Sequence, residues 1–113
     1  MKKIKRLSRK EFKEVLEKGK SIRTNYLVLK YLKQELPYFR LGILISKKVS
    51  KKATERNKIK RRIKEIVRLN LPEIPKKLDM VFIVIPGIKN EFSILKEKVL
   101  RIFEKLKNVN GNL

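Results

Sequence analysis

Behind Ser8-Arg9-Lys10-Glu11, apolar residues recur at Phe12, Val15 and Leu16, the i, i+3, i+4 spacing of one helical face following a capping box. Gly19 after Lys18 predicts a left-handed stop and hence a helix of about ten residues. The pattern then changes period. Residues 25–33 are rich in Leu, Val and Tyr and predict a strand, with a short strand before it at 20–23. Across Glu35-Leu36-Pro37-Tyr38 comes a second long strand at 40–45, and the two long strands are expected to pair as an antiparallel hairpin. A polar loop at 47–53 leads to Thr54, the expected N-cap of a helix reaching Asn70, with Pro72 and Pro75 ending it. Residues 80–85 are six apolar positions in a row, mostly β-branched, which predicts a strand buried on both faces. Phe92, Leu95, Val99, Ile102, Phe103 and Leu106 keep helical spacing within a last helix at 91–106. With neither repeat nor linker, the order α-β-β-β-α-β-α predicts a single α+β domain over 1–113.

Composition narrows what such a domain does. The 113 residues carry 32 Lys+Arg against 11 Asp+Glu, a net charge of +21, with no His, Cys or Trp. Leu, Ile, Val and Phe number 41, too many for a charged disordered tail, so the charge sits on a folded body. Without Cys there is no disulfide framework and no thiol nucleophile, and without His no Ser-His-Asp arrangement or ordinary zinc site. No apolar run approaches the roughly 18 residues that span a bilayer. The basic start at residues 1–7 leads into no hydrophobic stretch, so it is not read as a secretory signal. A cytoplasmic protein with a polyanionic partner is the expectation. Nucleic acid is favoured over a membrane surface, because no basic helix carries an exposed bulky apolar face.

The charge is concentrated. Residues 46–68 hold 11 Lys+Arg and two Glu, a net +9 in 23 positions. On a helical wheel Ile59, Ile63, Ile66 and Val67 share an arc of about 100° that must face the core. Lys60, Lys64, Asn57, Arg68 and Arg61 occupy a neighbouring exposed arc of similar width. Arg56, in the first turn, is expected to project past the helix end beside the loop lysines. Like charges at i, i+4 cost a helix a few tenths of a kcal/mol per pair, so their retention makes sense if phosphates lie opposite. A charge run is usually a solvated face. Here Glu65 is the one acid after the first turn, so little salt-bridge lacing is expected, and a nucleic-acid surface is favoured.

Ser46-Lys47-Lys48-Val49 followed by Arg56-Asn57-Lys58-Ile59-Lys60-Arg61-Arg62-Ile63-Lys64-Glu65 resembles the signature of the bacterial ribonuclease P protein family. The flanks match as well: Leu7-Ser8-Arg9-Lys10-Glu11-Phe12, Lys18-Gly19-Lys20-Ser21, and the apolar strand before Pro86. The resemblance covers nearly the whole chain. Lys58 stands where the family usually has Arg, which keeps the charge but loses the bidentate fork. Ser50 stands where it usually has Gly.

The resemblance implies an RNA-binding subunit of a holoenzyme that removes the 5′ leader from precursor tRNA. The chemistry is expected in the partner RNA, with Mg²⁺ held mainly there. Composition agrees, since the acids are scattered singly rather than paired as two-metal ligands. Glu11, Glu14 and Glu17 are read instead as partners for Lys10, Lys13 and Lys18. Carried over position by position, the family's contacts to the catalytic RNA fall on Lys47, Lys48, Lys51, Lys52, Arg56, Asn57, Lys58, Lys60, Arg61, Lys64 and Arg68. The leader cleft falls on Phe12, Leu16 and Lys30. Base stacking on Phe12 and ordinary core packing stand as alternatives. The N-terminal cations Lys2, Lys3, Lys5, Arg6, Arg9 and Lys10 are expected to form a flexible arm until RNA binds.

The implied fold is a four-stranded sheet with helices, like a ribosomal protein S5 domain, with a left-handed β-α-β crossover through the basic helix. Pattern alone would make that crossover right-handed, as about 98% are; the resemblance is followed. No protein or membrane partner is expected. The rival functional reading is a non-enzymatic, ribosomal-type RNA-binding protein; a DNA-binding protein is weaker, because no helix-turn-helix spacing precedes the basic helix.

Overall fold

Ser8 begins the first helix as its spacing predicts. A computed structural model describes residues 4–110, so the expectations for Lys2 and Lys3 lie outside the described residues. The Ser8 hydroxyl accepts from Glu11 N at 3.3 Å, and Glu11 Oε1 accepts from Ser8 N at 2.8 Å, closing a capping box on α1 (Arg9–Lys18). Two strands follow at once, β2 (Lys20–Thr24) and β3 (Leu27–Lys33), then β4 (Arg40–Ile45), α2 (Ala53–Leu69), β5 (Leu78–Val84) and α3 (Phe92–Asn110). A two-residue strand, β1 (Lys5–Arg6), precedes α1, and a 3₁₀ turn at Leu71–Glu73 follows α2.

The sheet therefore has five strands, in the order β1-β4-β5-β3-β2, where four were expected. The extra one comes from the arm: Lys5 and Arg6 pair in parallel with Arg40 and Leu41 and close the edge of β4. That part of the expected flexible arm is thus held by the sheet.

The expected hairpin between β3 and β4 does not form. β3 pairs antiparallel with β2 on one side and β5 on the other, while β4 pairs in parallel with β5. The apolar run of β5 explains this, because a strand buried on both faces belongs at the sheet's centre. It inserts between the two strands that sequence proximity would have joined. The real hairpin is β2–β3, turned at Asn25-Tyr26 with Tyr26 at φ 68°. The link from β4 through α2 to β5 is a parallel crossover.

Two sheet faces separate by alternation. Leu27, Leu29, Tyr31, Leu41, Ile43, Leu78, Met80, Phe82 and Val84 point to one side and join Ile59, Ile63, Ile66 and Val67 of α2. Leu95, Val99, Ile102, Phe103 and Leu106 of α3 complete that core, and each fully buried aliphatic or aromatic side chain contributes about 1.5–3 kcal/mol. Phe82 and Phe103 meet edge to face at 5.9 Å between ring centres. The apolar stripe of α2 is fully buried as its period predicts; Phe92, at the start of α3, is instead exposed. α1 packs on the opposite sheet face, against β3 and β5, burying Val15 there.

Local details of the helix ends differ from expectation. Gly19 is extended (φ −71°), not left-handed. Glycine is required there by close approach: a Cβ would sit 2.5 Å from the Val15 carbonyl oxygen and 3.0 Å from that of Tyr31. α2 begins two residues early, with Lys52 rather than Thr54 at the cap and no side-chain hydrogen bond there. Backbone geometry starts it, as Arg56 N donates to Lys52 O at 3.1 Å.

Candidate nucleic-acid interface

Burying Ile59, Ile63, Ile66 and Val67 turns the other side of α2 outward. Lys47, Lys48, Lys51, Lys52, Asn57, Lys58, Arg61 and Lys64 are exposed, and Arg56, Lys60 and Arg68 are half-buried. Asn57, Lys60, Arg61 and Lys64 line one shallow depression together with Thr54. Arg61 also borders a second, with Lys58, Arg62, Glu65 and Phe92. Of the eleven predicted residues, Asn57, Lys60, Arg61 and Lys64 thus share one surface, with Lys58 on the far flank of Arg61, the loop lysines exposed ahead of the helix and Arg68 near its end.

Some of these cations have internal duties. The Arg56 guanidinium donates to Ser50 O at 2.8 Å, tying the loop to the first turn of α2 as its wheel position suggested. The Ser50 hydroxyl accepts from Lys52 N at 3.3 Å. Tyr26 is the one non-glycine of positive φ among the described residues, so Ser50 holds the loop without the freedom a glycine would bring. Arg68 is bound by Glu65 through 3.0 Å and 2.5 Å hydrogen bonds, which raise the arginine and lower the carboxylate from their ordinary pKa values. One end of the helix is therefore laced after all. Arg62, next to the arc, is held to the loop before α3: it donates to Asn90 O at 2.6 Å and Oδ1 at 2.8 Å, while Asn90 donates to Glu55 at 2.8 Å.

Lys60 and Lys64 are different. Among the described residues no acid pairs with them, and the Lys64 ammonium is held below the ordinary lysine pKa by partial desolvation, then by the charges of Arg6 and Lys60. Arg6, placed by β1, thus extends the α2 arc across to the sheet edge. An anion laid along Lys60, Lys64 and Arg6 relieves that repulsion.

On the other sheet face the predicted cleft residues do converge. Phe12 lies against Gly42 of β4, where an added Cβ would come within 2.6 Å and 2.7 Å of its ring carbons. The Lys30 ammonium donates to Leu16 O at 3.1 Å, satisfying a carbonyl that the end of α1 leaves free. Phe12, Leu16 and Lys30 are all half-buried. α1 lies over Gly42 and Lys30 of the row Gly42–Val81–Lys30, and in the next row, Leu44–Ile83–Val28–Arg23, exposure rises from buried Val28 through Ile83 to Leu44. Leu44 is 39% exposed there. This floor went unnoticed in the sequence, where alternation along β4 and β5 was its only trace.

Behind Phe12 sits a charge cluster that sequence reasoning also missed. Arg40 forks onto buried Asp79 with Nε–Oδ1 at 2.8 Å and Nη2–Oδ2 at 2.7 Å, and Nη1 reaches Glu11 at 2.5 Å. Hydrogen bonding to Asp79 raises the Arg40 pKa. The bonds from Ser8, then the charge of Arg40, hold Glu11 below the usual carboxylate range. The first helix is thereby pinned to β4 and β5 at the turn that carries Phe12. Lys13–Glu17 and Lys18–Glu14 pair on its exposed side as expected. No group of three or more His, Cys, Asp or Glu converges among the described residues, and none of their helices is long and apolar enough to cross a membrane.

A family model described as Ribonuclease P matches residues 1–107. The Ribonuclease P protein component of Thermotoga maritima is 37% identical over 103 residues, covering 87% of each chain. That of Dictyoglomus turgidum is 42% identical over 106 residues, covering 88% of this chain and 87% of its own. Among solved structures, the RNase P protein from Thermotoga maritima superposes with a TM-score of 0.79 at 35% identity, covering 89% of this chain and 96% of that one. The Staphylococcus aureus RNase P protein gives 0.82 at 27% identity, with 94% and 97% covered.

Proposed function

Because the chain belongs to the ribonuclease P protein family, we propose that it binds a catalytic ribonuclease P RNA through the α2 surface and the 5′ leader of precursor tRNA through the cleft beside α1. The observation that carries this reading is the set of cations on α2 that no acid among the described residues neutralises, Lys60 and Lys64 above all, joined by Arg6. The loop lysines Lys47, Lys48, Lys51 and Lys52 extend that surface beyond the helix. Phosphate oxygens supply the missing negative charge, and released counterions make binding strongly salt-dependent. Positioning by backbone contacts is what such a surface offers; base identity is not read by ammonium groups.

The leader cleft joins the Phe12 ring with the apolar floor of Leu44 and Ile83, and Arg23 lies at its far end. An unpaired base stacking on Phe12 gains about 1–3 kcal/mol. Leu16 adds apolar contact. Lys30, bonded to the end of α1, fixes the cleft wall and brings positive charge to it.

The chain itself contributes binding and orientation. Glu11, Asp79, Glu65 and Glu55 are each engaged by a cation or an amide, so these acids offer no donor set for a metal. In this reading Mg²⁺ is held mainly by the RNA, where it would supply the hydrolytic chemistry, and the reaction is endonucleolytic removal of the leader by the assembled holoenzyme.

Reconstitution tests this directly. Added to a bacterial ribonuclease P RNA at low Mg²⁺, the chain is expected to restore leader removal from precursor tRNA. RNA binding without stimulation would leave a ribosomal-type binding protein instead. In the same assay Phe12→Ala should weaken precursor tRNA more than mature tRNA. Equal weakening of both would return Phe12 to a packing role.

A further inference from the structure

A further groove in the described part of the molecule lies outside both surfaces above. It opens just beyond the C-terminal end of α2 and encloses about 510 Å³. Its lining joins Ile4 and Lys5 at β1, Tyr38 and its neighbours before β4, and Leu71, Pro72, Ile74 and Lys76 after α2. That volume is in the range of small-molecule sites. Tyr38 is 39% exposed, and the Lys5 ammonium lies 5.7 Å from its ring centre. The lining holds two cations and no acid.

Its position suggests the occupant. Lys5 and Arg6 are the two residues of β1. Lys5 lines the groove and its strand neighbour Arg6 acts electrostatically on Lys64, so β1 links the groove to the cation arc of α2. An RNA following that arc arrives at an aromatic and proline-lined recess flanked by ammonium groups. Planar rings that stack and cations that meet phosphate are the two elements of single-strand recognition.

Resting on the reading of α2 as an RNA interface, we propose that this groove seats one unpaired nucleobase of the same RNA that lies on α2. The base stacks on Tyr38, and its flanking phosphates meet Lys5 and Lys76. The groove thereby serves as a register stop, fixing where along the arc the RNA lies.

The chain has no Trp, so Tyr38→Trp places a single fluorophore in the groove of the full-length protein. Titration with ribonuclease P RNA is expected to quench that emission over the concentration range in which binding occurs. Tyr38→Ala should weaken RNA binding about 5- to 160-fold, the range for losing one stacked base, while Tyr38→Phe stays within about twofold. Circular dichroism checks that each variant keeps its fold. Replacing Lys5 and Lys76 together by Ala should flatten the log-log salt dependence by roughly 1.4–1.8.

If Lys60 and Lys64 prove necessary for binding, but the emission of Tyr38→Trp and the affinity of Tyr38→Ala are unchanged, the groove proposal falls and the α2 interface stands. If neutralising Lys60 and Lys64 also changes nothing, the interface reading falls and takes the groove with it. An emission shift that grows with protein concentration in the absence of RNA would mean a second copy of the chain fills the groove, which overturns the proposal.

Discussion

The two faces of the sheet carry cations of the same kind in opposite states. On the α1 side Arg40 is bound by Asp79 and Glu11, and Lys30 by the carbonyl of Leu16. Those charges hold the fold together. On the α2 side partial desolvation, and then the charges of Arg6 and Lys60, depress the Lys64 ammonium pKa, with no acid among the described residues paired to it. Net charge alone does not distinguish the two conditions. What distinguishes them is whether an acid or a helix end lies within reach, and that separates structural cations from those open to a partner.

The largest effect should come from breaking the α1 side. Asp79→Asn leaves the Arg40 guanidinium without its bidentate partner and is expected to cost about 3 kcal/mol of stability. Denaturant unfolding measures this, while the salt slope of RNA binding at 25 °C should hold where the protein remains folded. A slope that changes with Asp79 would show that the two faces are coupled.

Breaking the α2 side should do the reverse. Neutralising Lys60, Arg61 and Lys64 together is expected to flatten the log-log salt dependence by roughly 0.7–0.9 per lost contact. For three contacts at physiological salt that is about 50-fold in affinity. Unfolding should show unchanged or slightly increased stability, because an i, i+4 repulsion is removed. An unchanged slope would make the arc a solvated face.

Gly42→Ala tests how tightly Phe12 is held. The new methyl collides with the ring, which must swing outward, at a cost of about 1–2 kcal/mol. Leader discrimination in the reconstituted enzyme should fall with it, while affinity for the catalytic RNA stays. Preserved discrimination would mean that the ring's position over Gly42 does not matter to the cleft.

The smallest effect is a pH dependence. Glu11 has its pKa lowered in the folded state, so the stability it contributes is fully present above its ordinary value of 4.5. That contribution is lost as pH falls through the depressed folded value. Glu11→Gln should lower stability at neutral pH and flatten the acid limb of the stability curve. Thermal unfolding between pH about 6 and 3 reads both, and a parallel curve for the variant would remove Glu11 from the account.

Some of this was written locally in the chain. The Ser8–Glu11 capping box, the buried stripe of α2 and the doubly buried β5 follow from spacings of a few residues, and the structure reproduces them. The loop-and-helix surface was legible for the same reason, since one helix carries most of it. The hairpin expected between β3 and β4 failed because pairing is a contest among distant strands, and β5 wins the central place by its apolar faces. Gly19 was identified correctly as a special position, but for the wrong reason: it is crowded by the Val15 carbonyl and by Tyr31 of β3, and no local spacing reveals the second. Arg40 and Asp79 are 39 residues apart, and no local spacing pairs them.

Sequence by itself determined the periods, the burial of the α2 stripe, the excess of positive charge and its concentration at 46–68. These depend on neighbours within a turn or two of backbone. Tertiary structure alone decided which cations are satisfied and which stand open, because an ion pair or a like-charge cluster exists only once distant segments share space. It also added β1 to the sheet edge, and so brought Lys5 and Arg6 to the end of the α2 arc beside the Tyr38 groove.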